Sequence, residues 1–82
     1  MTKPYQSVPR FYLERVTIAA LCNETMNLHW EDELTEMHYI AQLLPLDTLI
    51  VNGAEYLLAR NEQGETLKIR YDLIRNFPTP VK

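Results

Sequence analysis

Eighty-two residues, 46% of them hydrophobic, with a net charge of −3, describe one small domain and exclude a disordered acidic chain. The one cysteine, Cys22, excludes a disulfide framework and is expected to serve as a small apolar core residue in a reducing cytoplasm. No apolar run reaches the length of a membrane span and the N-terminus lacks a signal-peptide layout, so a soluble, cytoplasmic protein is expected.

Residues 1–6 carry Pro4 among polar neighbours and read as a loose tail. Ser7 is placed to cap a helix over about residues 8–21, with Pro9 in its first turn. On that helix Val8, Phe11, Tyr12, Val16 and Ala19 share a face, while Arg10, Glu14 and Thr17 lie opposite. After Asn23 the period changes to two. Met26, Leu28 and Trp30 alternate with polar residues, predicting a strand over about residues 26–30. Glu31, Asp32 and Glu33 form a polar turn. A second strand is expected over about residues 34–43, ended by Pro45, which cannot donate to a ladder.

Residues 46–51 are apolar and fit either a short edge strand or a packed loop. Asn52 and Gly53 then turn the chain. Strands follow over about residues 54–60 and 65–71, the second showing Leu67, Ile69 and Tyr71 alternating with Lys68 and Arg70. Asp72 reads as a turn residue whose carboxylate accepts backbone N–H groups. A last short strand is expected over about residues 73–77, and residues 78–82 as a frayed tail. The fold class is mainly β with one N-terminal helix: a small, partly open five-stranded antiparallel barrel.

Charge is unevenly placed. No Lys or Arg lies between Val16 and Ala59, a stretch that holds Glu24, Glu31, Asp32, Glu33, Glu36, Asp47 and Glu55. Such a surface repels phosphate and attracts basic protein. Glu31, Asp32, Glu33 and Glu36 are the densest carboxylate group, read either as a solvated turn or as a docking surface. His29, His38 and Cys22 are the soft metal ligands, and their spacing matches none of the usual zinc patterns. The histidines can nonetheless approach each other on adjacent strands. Tyr56, Tyr71 and Trp30 alternate like core residues; with Lys68 and Arg70 they also offer an RNA-binding alternative. Two glycines and one serine leave no phosphate loop or nucleophile motif, so no enzyme, cofactor or metal is expected.

The run from Val16 to Ala20, the alternating Met26–Trp30 segment, Glu55-Tyr56-Leu57, Gly64-Glu65-Thr66, and Ile69-Arg70-Tyr71-Asp72-Leu73-Ile74 with Phe77 together resemble the Rho-binding antiterminator family, Rof. The resemblance implies an Sm-like fold, with a helix laid on a short bent barrel. It also implies binding to the N-terminal RNA-binding domain of the transcription termination factor Rho, keeping RNA off it and suppressing termination. On this reading Glu14, Glu31, Asp32, Glu33 and Glu36 contact Rho, no nucleic acid or membrane is bound directly, and a monomer is favoured. The chain departs from the family's acidic first helix, since only Glu14 is acidic there, between Arg10 and Arg15. The alternatives are an Sm-like RNA-binding module and an adaptor for another basic protein.

Overall fold

In the computed structural model, which describes residues 4–76, Arg10–Leu21 forms helix α1. It starts later than its periodicity suggests because Pro9 disfavours helical geometry at Val8. Pro9 itself is the N-cap, extended at φ −59° and ψ 145°, and no side chain caps the helix, so Ser7 does not have the predicted role. At the other end Asn23 takes a left-handed φ of 54°. There its N–H donates to the Ala20 carbonyl and that of Glu24 to Ala19, a paired closure that satisfies two of the free carbonyls. Cys22, the C-cap residue, is exposed, not in the core: the helix ends before it can turn inward.

Four strands follow: β1 (Met26–Glu31), β2 (His38–Val51), β3 (Ala54–Arg60) and β4 (Thr66–Arg70). They form an antiparallel open sheet in the order β1-β2-β3-β4. The sequence expectation of a mainly β chain with one helix holds, while the described residues show four strands in an open sheet and not the five-stranded barrel. Residues 34–37 belong to the β1–β2 turn. There the Asp32 carboxylate accepts the N–H groups of Leu34 and Thr35 and the Thr35 hydroxyl, drawing that stretch out of the ladder.

Pro45 does not end β2. The strand pairs with β1 through Leu43 and with β3 from Leu44 onward, so Pro45 sits just past the exchange of partners. A register shift between Pro45 and Asp47 absorbs the missing donor. Residues 46–51, apolar except for Asp47 and Thr48, thereby become the second half of one long strand. Asn52 and Gly53, at φ 51° and 82°, make the tight left-handed turn into β3 that strand twist favours.

Beyond β4 the chain winds into a single 3-10 turn, Tyr71–Leu73, which replaces the start of the expected fifth strand. Among the described residues one bridge stands in place of that strand, Trp30 to Ile74; the part of the expectation that falls on Phe77 lies outside the described residues. Residues 74–76 still run beside β1. The Arg75 N–H donates to the His29 carbonyl at 2.7 Å, and the Asn76 side chain bonds the His29 N–H and the Asn27 carbonyl.

One core gathers Val16 and Ala19 of α1 with Leu28, Trp30, Leu43, Leu57, Ile69 and Tyr71 of the sheet and its extension. Leu13 of α1 packs against this core as well. Tyr71 is fully buried, and its hydroxyl meets the Thr48 hydroxyl at 2.8 Å, which removes the cost of burying a lone polar group. The N-terminal residues are also held. Tyr5 donates to the Glu55 carboxylate and the Gln6 N–H donates to Asp72, so 4–6 are not the loose tail expected; 1–3 lie outside the described residues.

Candidate functional site

The five carboxylates assigned to partner binding divide into two kinds. Glu31 stands at the end of β1 with only 5% of its surface exposed. It accepts from the Arg75 guanidinium at 2.7 Å, and His38 Nε2 lies 3.8 Å away. Glu33 accepts from the Tyr56 hydroxyl at 3.2 Å and faces the Arg70 guanidinium at 3.6 Å. Both carboxylates thus neutralise cations of this chain. Asp32 serves the turn, and the N–H groups of Thr35 and then Leu34 hold its carboxyl below the ordinary aspartate value. Glu14 and Glu36 differ: both are exposed and neither forms an ion pair among the described residues.

Glu36 is held outward by the backbone. Its φ of 62° is left-handed, and its N–H closes the turn onto the Asp32 carbonyl at 3.0 Å. Glu14 lies on α1 beside a shallow hollow bordered by Arg10, Thr17, Ile18 and Glu55.

The cations assigned to the RNA-binding alternative divide in the same way. Arg70 is 5% exposed and forms two bonds to Asp72, Nε to Oδ1 at 2.9 Å and Nη2 to Oδ2 at 2.6 Å. It also donates to the Pro4 carbonyl at 3.1 Å and lies over the Tyr5 ring at 5.7 Å. The Asp72 bonds push its pKa up, so the guanidinium stays charged while buried. Asp72 is thus more than a local turn residue; it joins the 3-10 turn to the N-terminal segment. Lys68 is exposed, its ammonium 4.9 Å from the Tyr56 ring centre. Of the three aromatics, Tyr71 is fully buried and Tyr56 and Trp30 nearly so, which leaves little ring face for stacking.

Burial pushes the titration of Tyr71 and Tyr56 up, aided at Tyr56 by Glu33. Tyr5 is pushed up to about 12, first by burial and then by its bond to Glu55.

Sequence reasoning missed a cleft of about 610 Å³. The first half of β2 supplies Tyr39, Ile40 and Gln42, β4 supplies Leu67 and Lys68, and the 61–63 turn closes one side. Tyr39 stacks on Trp30 at 5.7 Å between ring centres and remains 42% exposed. The cleft opens because β2 changes partner at Leu44, leaving Tyr39–Gln42 without β3 as a neighbour. A sequence offers only a faint signal of this, namely apolar Ile40 among the polar positions of its strand.

Among the described residues no group of three or more His, Cys, Asp or Glu is arranged to hold a metal ion, and no helix is long and apolar enough to cross a membrane. Comparison with known protein families, curated proteins and solved structures finds no match to this chain.

Proposed function

We propose that this chain is a Rho-binding regulator that competes with RNA for the N-terminal RNA-binding domain of Rho and so suppresses Rho-dependent termination. The residue pattern resembling the Rof family is one support. The observation that carries the reading is the division of charge. Arg70 and Arg75 are tied to carboxylates of this chain, whereas Glu14 and Glu36 face solvent free of such pairing among the described residues. An acidic protein that withholds two of its arginines is suited to a basic groove evolved for phosphate, where charge complementarity sets encounter rate and partner choice.

In this reading the protein is a cytoplasmic, non-enzymatic monomer without a cofactor. Its kinship is with Sm-like folds, for which the return of residues 74–76 to β1 after a 3-10 turn is the support. Contact falls to Glu14 and Glu36, with Asp32 shaping the turn and Glu31 and Glu33 holding it to the sheet.

The test is capture of purified Rho by the intact protein at low and rising salt, repeated with Glu14→Lys and Glu36→Lys. Binding that weakens with salt and with either reversal is expected, because exposed charges are screened. No capture by the wild-type protein at low salt overturns the proposal. Unchanged capture by both variants overturns the interface.

A second reading, an Sm-like RNA-binding module, has one observation in its favour: Lys68 and the exposed part of Tyr39 border the same cleft. A mobility shift with single-stranded RNA would separate it from the first. If Rho and RNA both fail to bind, the adaptor reading is tested by affinity capture of other basic proteins.

A further inference from the structure

His29 and His38 lie nine positions apart in the chain, yet the β1–β2 register brings their rings together. His29 pairs with Ile40 and Glu31 with His38, so the two imidazoles are diagonal neighbours across the ladder. Nε2 of His29 and Nδ1 of His38 are 3.2 Å apart, and the ring centres 5.3 Å. On the far side of the His38 ring, Nε2 faces the Glu31 carboxylate at 3.8 Å. Arg75 bonds that carboxylate at 2.7 Å, and Glu31 is buried.

We propose that His29 and His38 form an open two-imidazole site for a late first-row divalent ion such as Zn²⁺, Ni²⁺ or Cu²⁺. The nitrogen separation is the first reason. Two imidazole nitrogens bound to one ion at about 2.0–2.1 Å in neighbouring positions lie roughly 2.8–3.4 Å apart. The observed 3.2 Å, which is a hydrogen bond between the two rings, falls within that span, so an ion can take the place of the shared proton once the donor ring shifts to its other tautomer. The second reason is Glu31. A ligating histidine ordinarily donates its other ring N–H to a carboxylate, which fixes the tautomer and raises ligand basicity. Glu31 lies 3.8 Å from His38 Nε2, just beyond hydrogen-bond reach, so a small turn of the ring on metal binding would bring it to that partner, and Arg75 anchors the carboxylate at 2.7 Å.

The chemistry of the ligands selects the ion. Imidazoles favour late first-row metals over Mg²⁺ and Ca²⁺, which require oxygen. His38 has a side chain 54% exposed, which leaves water or a partner's donor to complete the coordination. The site lies at the β1–β2 ladder and does not depend on the Rho reading.

The test is titration of the full chain with Zn²⁺ near neutral pH, followed by calorimetry and by nitrogen NMR of the imidazoles. One equivalent should bind, with the metal-linked shifts at Nε2 of His29 and Nδ1 of His38. This pairing distinguishes the site from casual binding through two Nε2 atoms. His29→Ala and His38→Ala should each weaken binding about 10-fold or more, with Cys22→Ser leaving it unchanged. The double variant His29→Asn/His38→Asn, which retains polar side chains, should bind no tighter than either single variant. Equal affinity in wild type and double variant overturns the proposal, as does loss of binding in Cys22→Ser. Shifts confined to other nitrogens overturn it as well.

Discussion

Arg70 and Asp72, two residues apart, are joined by two hydrogen bonds that bind the end of β4 to the 3-10 turn. Their side chains are only 4% and 5% exposed. The pair also reaches the N-terminus, since Arg70 donates to the Pro4 carbonyl and Asp72 accepts the Gln6 N–H. Desolvation makes such a pair a poor source of net stability, but removing Asp72 replaces a two-bond pairing of the buried guanidinium with the longer 3.6 Å contact to Glu33.

Asp72→Ala should therefore lower the free energy of unfolding by about 3–5 kcal/mol, the cost typical of breaking a buried pair. A lowered urea midpoint with an unchanged slope would show it. The double variant Arg70→Met/Asp72→Ala, which removes both buried charges together, should cost clearly less than Asp72→Ala alone. Equal losses would mean that the bonds themselves, not the poorly paired cation, dominate.

This pair marks where sequence reasoning stops. Alternation at Leu67, Ile69 and Tyr71 is local and repeats every second residue, so the strand and its buried face are legible. Asn52-Gly53 is legible for the same reason, since its turn follows from backbone preference at two positions. Arg70 is not legible in this way: it looks like a polar residue on a half-buried strand, and its partners include Pro4, 66 residues away. Pro45 misleads because the rule against proline applies to a paired centre, and β2 exchanges partners just ahead of it. In the candidate site, the acidic run is visible in the sequence. Which carboxylates serve the fold depends on Arg70 and Arg75, brought in from beyond β3.

Asp32 predicts a pH dependence of the β1–β2 turn. Its folded value is held below the ordinary 3.8 by the N–H groups of Thr35 and Leu34. A carboxyl depressed on folding contributes stability that is fully present above its unfolded value and lost as pH falls through its folded value. The stability difference between wild type and Asp32→Ala should be constant near neutrality and shrink below about pH 4. Urea unfolding at several pH values measures it; a gap that widens in acid would refute the role of the turn bonds.

Cys22 predicts reactivity where the composition suggests burial. It is exposed at the end of α1, so a thiol reagent should modify it fully in the native protein, without denaturant. Storage without reductant should yield a dimer across Cys22 that dithiothreitol reverses. Protection comparable to that of a core thiol, with modification only on unfolding, would contradict the position of the helix end.

Glu36 separates folding from binding. A glutamate at φ 62° occupies a conformation that costs about 1 kcal/mol or more for most side chains, and asparagine tolerates it better. Glu36→Asn should accordingly leave stability unchanged or raise it by roughly 0.5–1 kcal/mol, through relief of that backbone cost. The same substitution removes one of the two exposed, unpaired carboxylates assigned to Rho contact. Capture of Rho should then fall while the unfolding midpoint holds or rises, a combination that no folding defect produces. Capture at the wild-type level by a stabilised Glu36→Asn protein would show that Glu36 is left-handed for the turn alone and would move the acidic contact to Glu14.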